Sequence, residues 1–187
     1  MAARITRTER AALTRNELLR AAERRFLRNG YHDTTLNDIV ADAGYTKGAV
    51  YSAFKSKAGL FLALCDEVVD RRLNEMRSIG RRSSGDAWVA ALAAQLITEH
   101  NAQFLVLAVE FLSHARRDPS LADAFAERYG RLRAGLADLA PPNTKLGVEQ
   151  WAIVTLALSN GLALERLLDP TGVSWDPLAE LQAHIRA

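Results

Sequence analysis

Twelve residues from Thr46 to Lys57 bring together two threonine or tyrosine hydroxyls, two serines and three lysines, with no carboxylate or histidine among them. Groups of this kind hold anions and polar edges by hydrogen bonding, and they do not by themselves make or break covalent bonds. Gly44 just before them is suited to leave a helix in the left-handed conformation. Thr46 can then cap a short new helix. Val50 and Phe54 stand one turn apart and share a face fit for burial. The other face shows Thr46, Lys47, Gly48, Ala49, Tyr51 and Ser52. Ser56 caps a further helix, which places Lys57 at its first position. The positive end of a helix dipole disfavours a lysine there by a few tenths to about 1 kcal/mol. A phosphate anion would compensate.

The elements that must carry these groups are helical throughout. Residues 1–13 read as a basic arm with Arg4, Arg7 and Arg10. Thr14-Arg15-Asn16-Glu17 has the form of a capping box and marks a helix start. Leu19, Ala22 and Phe26 recur at helical spacing and Gly30 supplies the stop. Thr35-Leu36-Asn37-Asp38 opens the next helix, with Ile39, Val40 and Ala43 inward. Helix, turn and short helix together read as a helix-turn-helix. A long helix from Ser56 towards Gly80 follows, then a linker at residues 81–85. Beyond it come helical patterns over Asp86–Glu99, about 101–117, from Pro119 to before Pro141, over Val148–Leu168, and a short one from Asp176. Alternating strand patterns and internal repeats are missing from the sequence. The fold class is all-α.

Charge divides the chain as the motif does. Residues 1–57 carry 11 Lys/Arg against 6 Asp/Glu, and residues 58–187 carry 13 against 16. A basic head on a slightly acidic body fits a polyanion-binding module at 1–57 joined to a second domain at 58–187; a solvated charged face is the alternative. Cys65 is alone, which suits a reducing compartment and a small buried residue. The start has no apolar signal core, and the apolar runs at 104–109 and 151–158 fall short of the ~18 residues of a membrane span. A soluble, cytoplasmic protein without membrane contact is expected.

Enzyme signatures are poorly met. The histidines are His32, His100, His114 and His184, with no HExxH or paired-cysteine spacing. Neither a GxSxG elbow nor a GxxxxGK[ST] loop occurs. Glu99-His100 and Glu110 with His114 could form an acid–base or metal pair, but polar positions on a helix surface or in a core account for them more simply. No catalytic residue, metal or cofactor is expected.

Residues 18 to 61 together resemble the N-terminal domain of the TetR (tetracycline repressor) family. The resemblance rests on Leu19, Ala22 and Phe26, Gly30-Tyr31, Thr34-Thr35, Ile39, Ala43-Gly44, Val50-Tyr51, Phe54, Ser56-Lys57 and Leu60-Phe61. Tyr45 departs from the small aliphatic residue usual in the family, which implies a slightly different tilt of the second helix. The resemblance implies an N-terminal three-helix DNA-binding domain, a long connecting helix and a C-terminal helical domain for effector binding and dimerisation. A homodimer would bind a pseudo-palindromic operator and release it when a small molecule is bound. Lys47 would then reach guanine O6/N7, and Thr46 and Ser52 base edges or phosphates. Gly48 and Ala49 would permit close approach, the Ala49 methyl meeting a thymine methyl. Tyr51, Lys57 and the pair Thr34/Thr35 would hold phosphates, and Arg4 and Arg7 a neighbouring groove. Tyr51 also fits a half-buried core position, and Thr35 a purely structural cap.

Trp151 to Leu168 is nearly free of charge and interleaves Ala157, Ser159, Gly161 and Ala163 with large aliphatics, a composition suited to packing against its own domain and a second copy. Phe104, Leu107, Phe111 and His114 share a stripe that Trp88, Tyr129 and Asn160 could close into a pocket for an apolar or aromatic effector. The same stripe fits plain core. Two alternatives stand beside the ligand-responsive repressor: a regulator without an effector, and a helical dimer whose basic head meets an acidic protein.

Overall fold

The computed structural model describes residues 6–80, 91–142 except 93 and 97, 144–174 and 180. Arg4, Trp88, the linker at 81–85 and the helical pattern from Asp176 therefore lie outside the described residues, apart from Glu180. Seven helices of eight residues or more order the described chain: α1 (Arg7–Asp33), α2 (Leu36–Ala43), α3 (Lys47–Phe54), α4 (Lys57–Gly80), α5 (Glu99–Ala115), α6 (Pro119–Ala137) and α7 (Val148–Leu168). The described residues contain no strand. The all-α expectation holds.

α1 begins earlier than its sequence suggests. Thr6 is the N-cap: its hydroxyl accepts from Glu9 N at 3.2 Å, and Glu9 Oε2 accepts from Thr6 N at 2.7 Å. The same Thr-x-x-Glu spacing at Thr14 and Glu17 lies inside the helix, because residues 7–13 contain no glycine or proline to interrupt it. Arg7 thus stands in the first turn of α1, not in a loose arm. Gly30, at φ 79° and ψ 169°, breaks the helix before a last turn at Tyr31–Asp33. No side chain with a Cβ sits easily there.

Thr35 caps α2 in a box with Asp38, and Gly44 ends it at φ 70°, its backbone N–H turned back to the Ala41 and Val40 carbonyls. α3 leaves through Lys55, the only non-glycine residue at positive φ among those described. Gly59 in the first turn of α4 lies so near the Phe54 carbonyl that a Cβ would come within 2.1 Å of its oxygen. That close approach sets α3 against α4.

Packing joins the halves. α5 lies against both α1 and α7, and α4 runs along α6, which packs on α7. One apolar cluster gathers Phe26 and Tyr31 of α1, Val50 and Phe54 of α3, Phe61 of α4, Phe111 of α5 and Phe125 of α6. A second takes Leu73 and Met76 of α4, Leu92, Leu136 and Trp151. α4 contributes to both. Burying each large side chain contributes roughly 1.5–3 kcal/mol.

α7 is long and apolar enough, by composition alone, to cross a membrane. Core helices pass the same test, and Trp151, Ala152, Thr155, Leu156, Ser159 and Ala163 are buried against the rest of the chain. Its other side carries Ile153, Leu164, Leu167 and Leu168 in the open, so within one chain the helix is not buried all round.

Candidate functional site

α3 is held by what it buries. Val50 is fully buried and Phe54 nearly so, while Arg15 of α1 lies over the Phe54 ring at 4.6 Å. Thr46, Lys47, Gly48, Tyr51, Ser52 and Ala53 are exposed on the other side. Tyr51 is 51% exposed and stands outside the apolar cluster, with half of its surface open to solvent. Ala49 is turned partly into the core, which leaves its methyl less available than expected. Thr46 occupies the N-cap position of α3 but makes no side-chain capping hydrogen bond. Its hydroxyl is not tied down as a cap, contrary to the sequence expectation.

Gly48 needs a separate account. Its backbone is ordinary helix, and an added Cβ would meet only the Thr46 hydroxyl at 3.6 Å. Packing inside the chain does not require glycine here, where it weakens the helix by roughly 0.5–1 kcal/mol relative to alanine. Close approach of something outside the chain is the physical use that remains.

Three expected contacts are relocated. Thr34 is fully buried, and its hydroxyl donates to the Gly30 carbonyl at 2.8 Å and the Arg25 carbonyl at 3.2 Å. It cannot meet a phosphate. The Thr35 hydroxyl donates to Asp38 Oδ2 at 2.6 Å as part of the α2 cap. Lys57 Nζ donates to the carbonyls of Tyr31 (2.8 Å), Thr34 (2.9 Å) and His32 (3.3 Å), and sits 4.4 Å from the centre of the Tyr31 ring. An ammonium has three donors. The compensation expected from a phosphate thus comes from the end of α1. Burial pulls the Lys57 ammonium below the ordinary lysine range, with the Asp33 carboxylate opposing.

Tyr45 explains its own departure from a small residue. Its ring packs on the first apolar cluster, and its hydroxyl donates to Glu17 and accepts from Thr14 at 3.4 Å, tying the turn to α1. Exposed Arg7, Arg10, Lys47 and Lys55 add positive charge to this end of the molecule.

This arrangement presents an anchored two-turn helix with an open polar face, and the similarity to known proteins points the same way. Residues 18–64 match the profile of the bacterial regulatory proteins, tetR family, and residues 82–187 that of the BetI-type transcriptional repressor, C-terminal. The chain belongs to the TetR family. The relatives it matches are transcriptional regulators, not enzymes. The HTH-type transcriptional regulator TtgR of Pseudomonas putida is 47% identical over 60 residues, 32% of this chain and 29% of that protein. The HTH-type transcriptional repressor AcnR of Corynebacterium diphtheriae is 26% identical over 136 residues, 73% of this chain and 68% of its own. The match to the first of these TetR-family relatives thus spans less than a third of that protein's length. A TetR-family regulator from Rhodococcus sp. superposes with TM-score 0.76 at 18% identity, covering 94% of this chain and all of that one. A regulator from Saccharomonospora viridis solved in complex with choline gives 0.68 at 17%, covering 92% and 95%. At such identities these two show the fold alone.

The body of this TetR-family chain contains cavities, only in part where the aromatic stripe suggested. Leu107 and Phe111 are buried in the first cluster. Phe111 stacks on Phe61 at 4.4 Å and meets Tyr31 edge-on at 5.0 Å. His114 lies 5.3 Å from the Tyr31 ring. These three residues cement α5 to the helix-turn-helix; the core reading of the stripe is the correct one for them. The neighbouring stripe of α5 does the lining instead. A cavity of about 290 Å³ is bordered by Leu105, Val109 and Leu112 of α5 with Phe125 and Tyr129 of α6. A smaller one of about 40 Å³ beside it takes in Phe104, Tyr129 and Asn160, as expected, and also Cys65, Arg72 and Arg128. Asn160 Nδ2 donates to the Tyr129 hydroxyl at 2.6 Å. Burial pushes the Cys65 thiol up to about 12, so it is no nucleophile at neutral pH. In the sequence Arg72 carries no signal of this position, since one arginine on a long helix looks like any other.

Proposed function

We propose that the chain acts in the cytoplasm as a homodimeric repressor that binds a pseudo-palindromic operator through α3 and leaves it when a small molecule occupies the body. The observation that carries the DNA-binding part is the open face of α3, with Lys47, Thr46, Ser52 and Tyr51 exposed opposite buried Val50 and Phe54. Lys47 is the residue suited to guanine O6/N7; Thr46 and Ser52 suit base edges or phosphates, Tyr51 and Arg7 phosphates. Gly48 and the partly available Ala49 let the helix axis come close.

The exposed side of α7 supports the dimer. Ile153, Ala157, Gly161, Leu164 and Leu168 follow one another at helical spacing, and nothing lies within 4 Å of a Cβ built on Gly161. A second copy seated there would set two α3 helices about 34–36 Å apart, one turn of DNA. The cavities along α5 and α6 support the effector, since the smaller is also bordered by α4, which forms part of the helix-turn-helix core. A ligand that fits only one setting of α4 would change that spacing. The complex of the S. viridis regulator with choline is in keeping with a small-molecule ligand.

Selection of fragments from a random DNA pool by the purified protein tests the reading. An inverted repeat should emerge, with one dimer on each repeat by light scattering. Lys47→Ala should weaken binding to the selected site by about 1–3 kcal/mol and relax its sequence preference. Recovery of no common sequence would reject the proposal, and an equal loss on random DNA would move Lys47 from bases to phosphates.

A further inference from the structure

The two cavities share Leu105, Ala108, Phe125 and Tyr129 as a common wall. Arginines 72, 128 and 133 border them, and among the described residues no aspartate or glutamate does. Two of these arginines are already engaged. Arg128 pairs with Asp66 at 2.8 Å and donates to the Leu62 and Ala124 carbonyls. Arg133 lies over the Tyr129 ring at 5.5 Å on the exposed surface.

Arg72 is different. Its Nε donates to Asn101 Oδ1 at 2.7 Å, and among the described residues its remaining guanidinium N–H groups have no acceptor and no carboxylate partner. By contrast, partly buried Arg25 pairs with Asp42, and exposed Arg71 and Arg131 pair with Glu23 and with Asp66 and Asp70. The Arg72 side chain is partly accessible by area, yet its head group is sunk deeply enough that burial draws it down to about 10. It stays charged at neutral pH. Glu75 and Tyr129 favour its charge without forming an ion pair with it. A buried guanidinium with no ion-pair partner is unfavourable, and one that borders a chamber with four N–H groups unused suits a carboxylate. The Tyr129 hydroxyl, which accepts from Asn160, has its own proton left to donate into the same space. A chamber of about 40 Å³ holds little more than one or two waters, the bulk of a carboxylate group.

We infer that the effector is an apolar acid, a single carboxylate carried on an alkyl or aryl body: the anion pairs with Arg72 in the small chamber, and the body lies in the larger cavity between Leu105, Val109 and Phe125. This rests on the reading of the cavities as an effector site and narrows it to one chemical class. A quaternary ammonium ligand is disfavoured by the same charge.

The full-length protein is titrated with 2-naphthoate, 3-phenylpropanoate and octanoate, each beside its primary amide and beside phenyltrimethylammonium, by thermal shift and calorimetry. Acids should bind about 10- to 100-fold more tightly than their amides, the range of a charge-assisted hydrogen bond in a buried site. Arg72→Met should erase that preference and, with no ligand present, shift the melting temperature little, because removal of an unpaired buried charge offsets the donor lost to Asn101 Oδ1. Arg72→Lys should keep part of the preference. Amides or the ammonium compound binding as well as the acids would overturn the inference and leave the effector site standing. No binding by any probe would remove the effector site as well, with operator selection unaffected. A markedly lower melting temperature for Arg72→Met would show Arg72 to be structural and also overturn it.

Discussion

Lys57 carries its charge at the positive end of α4, and three carbonyl oxygens around the end of α1 hold it there. Its role follows from those partners. Lys57→Met leaves the carbonyls of Tyr31 and Thr34 without a donor and should destabilise the protein by about 1–2 kcal/mol in urea unfolding. The salt dependence of DNA binding should keep its slope, whereas loss of a phosphate contact would lower it by about 1. The residue type and position of Lys57 were plain in the sequence, and so was the conflict with the helix dipole. What resolves the conflict was not, because Tyr31, His32 and Thr34 reach it only through the folded turn after Gly30. Thr34 was obscured for the same reason: a threonine before a helix looks like a cap until its hydroxyl is seen bonded backwards to Gly30.

At the scale of the helices, boundaries set by backbone chemistry were legible and those set by competition were not. Gly44 ends α2 in the left-handed conformation, Ser56 caps α4 by accepting from Gly59 N at 2.9 Å, and Pro119 opens α6 behind Asp118, all as their residue types dictate. The start of α1 is ambiguous in the sequence because two Thr-x-x-Glu boxes stand eight residues apart and only the first lies at a free end. Thr6→Ala should therefore weaken the helix by about 0.5–2 kcal/mol, read as lost hydrogen-exchange protection in its first turns. Thr14→Ala should leave that protection intact and loosen only the Tyr45 turn. The apolar stripe of α5 is legible as a stripe, with a pocket and plain core both open as its surroundings. Periodicity shows which side chains share a face, and only packing shows what the face meets.

In the molecule as a whole, α5 and α1 are joined by more than apolar contact. Glu110 accepts from the Tyr31 backbone N–H at 2.8 Å, and its carboxylate lies against Gly30, where a Cβ would come within 2.8 Å of it. Glu110→Ala leaves that N–H unpaired and should lower stability by about 1–3 kcal/mol. It should also speed exchange at Tyr31 more than in the body. Heating the whole chain should give one calorimetric transition, since Phe26, Tyr31, Phe61 and Phe111 form a single aromatic cluster across the helix-turn-helix and the body; two well-separated peaks would contradict a shared core. That cluster limits how the chain can be recombined. Severed after residue 57, the head would lose the rings that close over Phe26 and Tyr31. A chimera that grafts it onto a foreign body would have to bring Phe61 and Phe111 along, or supply their volume from the host.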